Sequence, residues 1–139
     1  MLNAIKTSLC ALALIGSAAS AEAKPTLYVC TLGKGNAKNS WISESTAFIF
    51  NPDGSVQVLD GLIMHFFKEA YPAKARKRGD SVTINWVVKG IDDAVGTRIP
   101  RVVYQAKMNQ KAKTFEIRSR IPGFENVDFG RGTCELGKT

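Results

Sequence analysis

The stretch Thr26-Leu27-Tyr28-Val29-Cys30-Thr31-Leu32 is rich in β-branched, aromatic and aliphatic residues, and it ends at Gly33. Residues of these types favour extended strands, and glycine suits the turn that follows. The stretch therefore predicts a first β-strand that carries a cysteine. This cysteine decides the fold, because a second one, Cys134, lies near the other end of the chain in the last predicted strand.

Strand-like alternation of apolar and polar residues recurs between the two cysteines. Asn51-Pro52-Asp53-Gly54 has the proline and glycine of a tight turn, so it predicts a hairpin between its flanking segments. A second hairpin is predicted around residues 109–113. Gly130 and Gly132 indicate a bulge, or the close approach of another strand. The predicted strands cover 26–32, 46–50, 55–59, 81–89, 102–108, 114–120 and 127–136.

One segment follows a helical period instead. Apolar residues recur at helical spacing after Asp60, a suitable N-cap, and Pro72 is expected to stop a helix. We therefore predict one short helix near 61–71, with an extended segment as the alternative. The whole pattern predicts a mainly β fold: a single small antiparallel barrel of about eight strands, either lipocalin-like or a closed sandwich.

The N-terminus has the three parts of a cleavable signal peptide. Lys6 precedes an uncharged, mostly apolar run, which small residues follow up to Ala21. We expect cleavage after Ala21, or after Ala23 as the second choice. A membrane anchor is the weaker alternative, because about 20 apolar residues are needed to span a bilayer and this run is shorter. The sequence thus predicts a signal peptide at 1–21, a single β-barrel domain at 22–139, no transmembrane segment, and an exported protein, periplasmic or secreted.

Cleavage would remove Cys10 and leave Cys30 and Cys134, an even pair that favours a disulfide in an oxidising compartment. Free thiols for catalysis or metal binding fit less well, because the pair is far apart in sequence and His65 is the only histidine. A disulfide holds its two Cα atoms within about 7 Å, so the first and last strands must be neighbours and the sheet must close. Closing so long a loop contributes about 4–5 kcal/mol in the chain-entropy model.

This layout, with one cysteine on the first strand and one on the last, resembles small exported bacterial β-barrels. That group includes periplasmic lysozyme inhibitors and lipocalin-like domains. The resemblance covers the mature chain in outline, and no motif transfers a functional residue.

Catalytic and cofactor motifs give little support for an enzyme. Gly33-Lys34-Gly35 lacks the rest of a nucleotide-binding fingerprint, and no nucleophile motif surrounds a serine. A single histidine is a poor start for a zinc site, and Asp92-Asp93 suits a solvated loop. We therefore predict no enzymatic activity, no cofactor and no metal site.

Charge gives the main functional indication, since 19 basic and 12 acidic residues leave a net charge of +7. A candidate basic binding patch comprises Lys68, Lys74, Arg76, Lys77 and Arg78. Such a patch attracts an anionic envelope component or an acidic protein, although basic residues also serve solubility alone. Nucleic acid is disfavoured as a partner, because export leads away from it.

These observations predict an exported non-enzymatic binding protein that recognises an anionic or macromolecular envelope partner through its basic surface. One alternative is a carrier of a small apolar ligand inside the barrel, where aromatic side chains either line a cavity or fill a core. An enzyme of unrecognised type is the other. The aromatic residues concerned are Phe48, Phe50, Trp86, Tyr104 and Phe115.

Overall fold

Each strand pairs antiparallel with the strand that follows it in sequence, and the last strand returns to pair with the first. The computed structural model describes residues 23–35 and 41–138. Its strands form one closed barrel in chain order. The elements are β1 (Thr26–Leu32), β2 (Ser45–Phe50), β3 (Val56–Asp60), α1 (Gly61–Phe67), β4 (Tyr71–Arg78), β5 (Ser81–Asp92), β6 (Arg98–Asn109), β7 (Thr114–Arg120) and β8 (Val127–Leu136).

The predicted disulfide between Cys30 and Cys134 is present, and it lies where the barrel closes. Both side chains are buried, and the β1–β8 register places the two residues directly opposite each other. The mainly β fold, the eight strands and the disulfide are thus confirmed, and the chain adopts the barrel. The signal peptide predicted at 1–21, with Cys10, lies outside the described residues.

The predicted helix is confirmed, but it is shorter than the segment 61–71. Its N-cap is Asp60, whose Oδ1 accepts a hydrogen bond from the Ile63 N–H at 2.8 Å. It ends at Lys68, which takes a left-handed conformation with φ of 61°. Pro72 does not end the helix, since it lies inside β4. No helix in the described part of the chain is long and apolar enough to cross a bilayer.

One strand, β4, is additional to the sequence prediction, and two others, β5 and β6, extend beyond it. The basic run 71–78 forms β4, which the sequence prediction did not include, although Tyr71, Ala73 and Ala75 alternate with Pro72, Lys74 and Arg76. β5 continues through Gly90 to Asp92, so Asp92 lies in the strand and only Asp93 in the loop that the sequence suggested. Gly90 has a φ of 68°, and the burial pattern shifts by one residue there, so Ile91 faces the core. Glycine suits this position because other residues rarely adopt a positive φ.

Aromatic side chains fill the barrel interior. The ring of Trp86 stacks on Tyr104 with centroids 5.1 Å apart and meets Phe48 edge-on at 5.7 Å. These three residues and Phe115 are buried, whereas Phe50 is only partly buried against the same core. The predicted close approach at Gly132 is confirmed, since a Cβ atom there would collide with the main chain of Thr31 and with the ring of Phe115.

Candidate functional site

The predicted basic patch lies mainly on β4, but its residues point in different directions. Lys74, Arg76 and Arg78 pair with Asn85, Thr83 and Ser81 of β5, which face outward. Lys77 pairs with the buried Val82 and so belongs to the inward row, although its side chain is exposed. Lys68 lies apart from the strand, at the end of α1. The structure therefore brings three of the five predicted residues together on one outer surface.

The strand register adds basic residues from distant parts of the sequence to this surface. Residues directly opposite each other on antiparallel strands point to the same side of the sheet. Four outward rows result, and together we call them the basic face. They are Arg78–Ser81–Asn109–Thr114–Thr133, Arg76–Thr83–Lys107–Glu116–Arg131, Lys74–Asn85–Gln105–Arg118–Phe129 and Val87–Val103–Arg120–Val127.

The basic face has a strong charge imbalance. It holds seven exposed basic side chains and one acidic side chain, Glu116. The second row, from Arg76 to Arg131, crosses five neighbouring strands and therefore spans about 19 Å. By contrast, strands β1 to β3 contain no basic residue. The positive charge is thus concentrated on one side of the barrel.

An aromatic ring lies between two guanidinium groups on this face. Arg118 is directly opposite Phe129, and its Cζ atom lies 5.4 Å from the ring centroid. Arg131, two residues further along β8, lies 5.0 Å from the same centroid. Phe129 is 40% exposed. A guanidinium group is attracted to the face of an aromatic ring by cation–π interaction, and this contact orients the group.

Glu116 offsets part of the charge within the basic face. Its Oε1 atom lies 3.2 Å from the Nε atom of Arg131. Both side chains are substantially exposed, so solvent screens this pair and it contributes little to stability. The pair leaves the basic face strongly positive.

Two shallow grooves run along the basic face. The larger, of about 440 Å³, lies between Lys107, Thr114, Glu116 and Arg131. The other, of about 350 Å³, includes Arg118, Arg120 and the apolar side chains of Val103 and Val127. The face therefore combines positive charge, hydrogen-bond donors and apolar surface, the composition typical of a binding surface.

Other residues considered from the sequence have structural roles. Asp93 accepts hydrogen bonds from the N–H groups of Val95 and Thr97 and so stabilises its own turn. His65 packs edge-on against Phe66 on α1. In residues 23–35 and 41–138, no three His, Cys, Asp or Glu side chains gather where they could hold a metal ion.

The sequence did not predict that Lys107, Phe129 and Arg131 lie on the same outer surface as the basic residues of β4. Arg118 and Arg120 alternate with buried residues along β7 and face outward. Which residues become their neighbours depends on register, and a shift of one residue would reverse the direction of every side chain. The sequence contains no direct signal of that register.

Comparisons with protein-family models, with curated proteins and with solved structures found no match to this chain. The resemblance to small exported β-barrels therefore concerns architecture alone and transfers no residue role.

Proposed function

We propose that the mature chain is an exported, non-enzymatic binding protein that holds an anionic macromolecule of the cell envelope against its basic face. It acts in the periplasm or after secretion. The observation that carries this proposal is the alignment of seven basic side chains, from four different strands, around a single acidic one.

The electrostatic field of the basic face and the chemistry of its side chains both support this proposal. Charges of one sign on one side of a molecule accelerate encounters with an oppositely charged surface. Arginine supplies several donors in a planar fork, which suits carboxylate, phosphate and sulfate groups. Phe129, exposed between two arginines, adds the aromatic surface that is common at the energetic centre of interfaces.

The two alternatives have less support. A carrier needs space inside the barrel, and the stacked rings of Trp86 and Tyr104, together with Phe48, occupy the interior. An enzyme needs converging catalytic groups, and the polar residues of the basic face are mainly cations. Binding through the outer surface is therefore the function that the geometry supports best.

Binding to heparin, a sulfated polysaccharide used as an anionic probe, tests the proposal. The triple variant Lys74→Glu, Arg76→Glu, Arg78→Glu reverses one edge of the basic face. We expect its affinity for heparin to fall about tenfold or more, because three attractive charges become repulsive. Binding by the unchanged protein should weaken as salt is added, since exposed charges are screened.

The matched control reverses three exposed lysines outside the strands, Lys24, Lys34 and Lys138. It changes the net charge by the same amount, so it should retain most of the affinity if the face is the site. Equal losses in both variants would show that net charge alone drives binding and would overturn the proposal. Thermal unfolding of each variant checks that the barrel is intact.

A further inference from the structure

A separate recess of about 300 Å³ lies at one end of the barrel, where β7 ends and β8 begins. It shares Ser119 and Arg120 with the groove beside Val103 and Val127, and its remaining lining combines aromatic, apolar and polar side chains. Arg120 forms part of its rim and also belongs to the basic face. The other lining residues are Trp41, Ser119, Ile121, Phe124, Asn126 and Asp128.

Hydrogen bonds hold two sides of this recess in place. The Tyr104 hydroxyl donates to the main-chain oxygen of Trp41 at 2.7 Å. The main-chain N–H of Trp41 in turn donates to Oδ2 of Asp128 at 2.8 Å. Burial, with the nearby charges of Asp60 and Asp128, raises the pKa of the Tyr104 hydroxyl, so it remains a donor. Trp41 and Asp128 are thus fixed relative to each other before any ligand arrives.

Ser119 lines both the recess and the groove beside Val103, and its buried hydroxyl is unexplained. Ser119 is only 2% exposed, and its Oγ atom has no hydrogen-bond partner among the described residues. A buried polar group without a partner destabilises the folded state, and native proteins rarely retain one without a reason. A ligand hydroxyl in the recess would supply both a donor and an acceptor to this atom.

The mouth of the recess displays an aromatic side chain to solvent. Phe124 is 67% exposed, although phenylalanine is usually buried. A tight turn presents it, with the Phe124 N–H donating to the Ile121 oxygen at 3.0 Å and Gly123 at a φ of 93°. An exposed ring beside a recess offers apolar surface to a bound molecule.

We propose that this recess binds a neutral sugar ring. The lining of the recess contains one acidic residue, Asp128, and one basic residue, Arg120, so its formal charge is balanced, which favours a ligand without net charge. A sugar ring has apolar C–H faces for Trp41 and Phe124, and hydroxyls that donate to a carboxylate and accept from a carboxamide or hydroxyl. The volume of the recess, about 300 Å³, lies at the lower end of the range for small-molecule sites. This site goes beyond the proposed binding of an anionic partner and does not depend on it.

Titration of the purified protein with three methyl glycosides, those of glucose, galactose and N-acetylglucosamine, tests this site by NMR. We expect saturable shifts of the Trp41 indole resonance with at least one of the probes. Phe124→Ala should weaken that binding about tenfold, as expected when an exposed anchor is truncated. Ser119→Ala should also weaken binding, without lowering the melting temperature, because no internal hydrogen bond is lost.

Phe129→Ala serves as the matched control, since it removes an exposed ring from the basic face and should leave sugar binding unchanged. The inference is overturned if none of the three glycosides gives a saturable shift, or if Phe124→Ala and Ser119→Ala bind as the unchanged protein does. Tighter binding of a zwitterion, tested with free leucine, would equally overturn the assignment to sugars. If Phe124→Ala and Ser119→Ala lose sugar binding but still bind heparin, the sugar site and the proposed anion-binding function are independent of each other.

Discussion

Cys30 and Cys134 lie directly opposite each other on β1 and β8, with their Cα atoms 4.0 Å apart. The bond joins residues separated by 104 positions, so it links nearly the two ends of the barrel domain. In the unfolded chain such a link removes many conformations. The same disulfide therefore closes the barrel and reduces the conformational entropy that the chain loses on folding.

Replacing both cysteines, Cys30→Ala with Cys134→Ala, should lower the free energy of unfolding by about 2–5 kcal/mol. Unfolding in guanidinium chloride measures the change. The m-value should rise, because an unfolded chain without the link exposes more surface. Val58→Ala, which trims another fully buried side chain, is the control and should lower stability with the m-value unchanged. An unaltered m-value in the double variant would contradict the entropic explanation.

Gly132→Ala should destabilise the barrel by about 1–3 kcal/mol, because the added methyl group meets main-chain atoms of Thr31 that cannot move aside. Thermal or chemical unfolding gives the measurement. Gly61→Ala is the matched control, since its nearest neighbour is the Ser43 hydroxyl at 3.7 Å, an ordinary contact. If both variants lose the same stability, the close approach of β1 and β8 at Gly132 is not the cause.

Asp60→Asn should change how stability depends on pH. Burial raises the pKa of the Asp60 carboxyl above 3.8, against the opposing effect of the Ile63 and Leu62 N–H groups. The folded state then binds the proton more tightly than the unfolded state, so stability is lost as pH rises above 3.8 through the raised value. Asparagine keeps the helix cap without ionising. The variant should therefore gain stability relative to the unchanged protein across that window.

Asp53→Asn provides a control of opposite sign. Hydrogen bonds from Ser55 lower the pKa of Asp53, so its contribution is present above 3.8 and disappears as pH falls. Denaturant unfolding at a series of pH values should show the two variants diverging in opposite directions. If the stability of both variants changes with pH in the same direction relative to the unchanged protein, the pKa values of Asp60 and Asp53 are not shifted in opposite directions.

Glu116→Gln should strengthen binding of heparin, because it removes the one negative charge from the basic face. The salt concentration that releases the protein from immobilised heparin measures the effect. Glu135→Gln makes the same change in net charge outside the face, opposite Val29 of β1. If both variants require equally more salt, the position of the charge is unimportant and the face is not the binding surface.

The sequence allowed the barrel to be predicted because two independent signals agreed. Alternating residues indicated most of the strands, and the Cys30–Cys134 pair required the first strand to meet the last. β4 escaped prediction because its alternating apolar row, Tyr71, Ala73 and Ala75, is short and consists mainly of alanine, which is depleted in strands, and because its position depends on pairing with β3 and β5. Local sequence carries little information about such a strand.

The candidate sites were less accessible from sequence. The run at Lys74–Arg78 indicated positive charge, yet only the register shows that Lys107 and Arg131 continue its row. The recess beside Ser119 gave no sequence signal, because Trp41 and Asp128 reach it from positions 87 residues apart. Contacts of this kind depend on the complete fold.

Every strand of this barrel has a hydrogen-bonded neighbour on both sides, β1 and β8 included. The closed sheet leaves little free edge, chiefly on the β3 side of β4 beyond Ala73, so side chains are the main surface that a partner meets. The outer surface and the barrel core are then largely independent of each other. Outward residues of β4 to β8 can be substituted while the inward rows keep the barrel folded. Evolution, or a designer, could retarget such a molecule by substituting its outward residues alone.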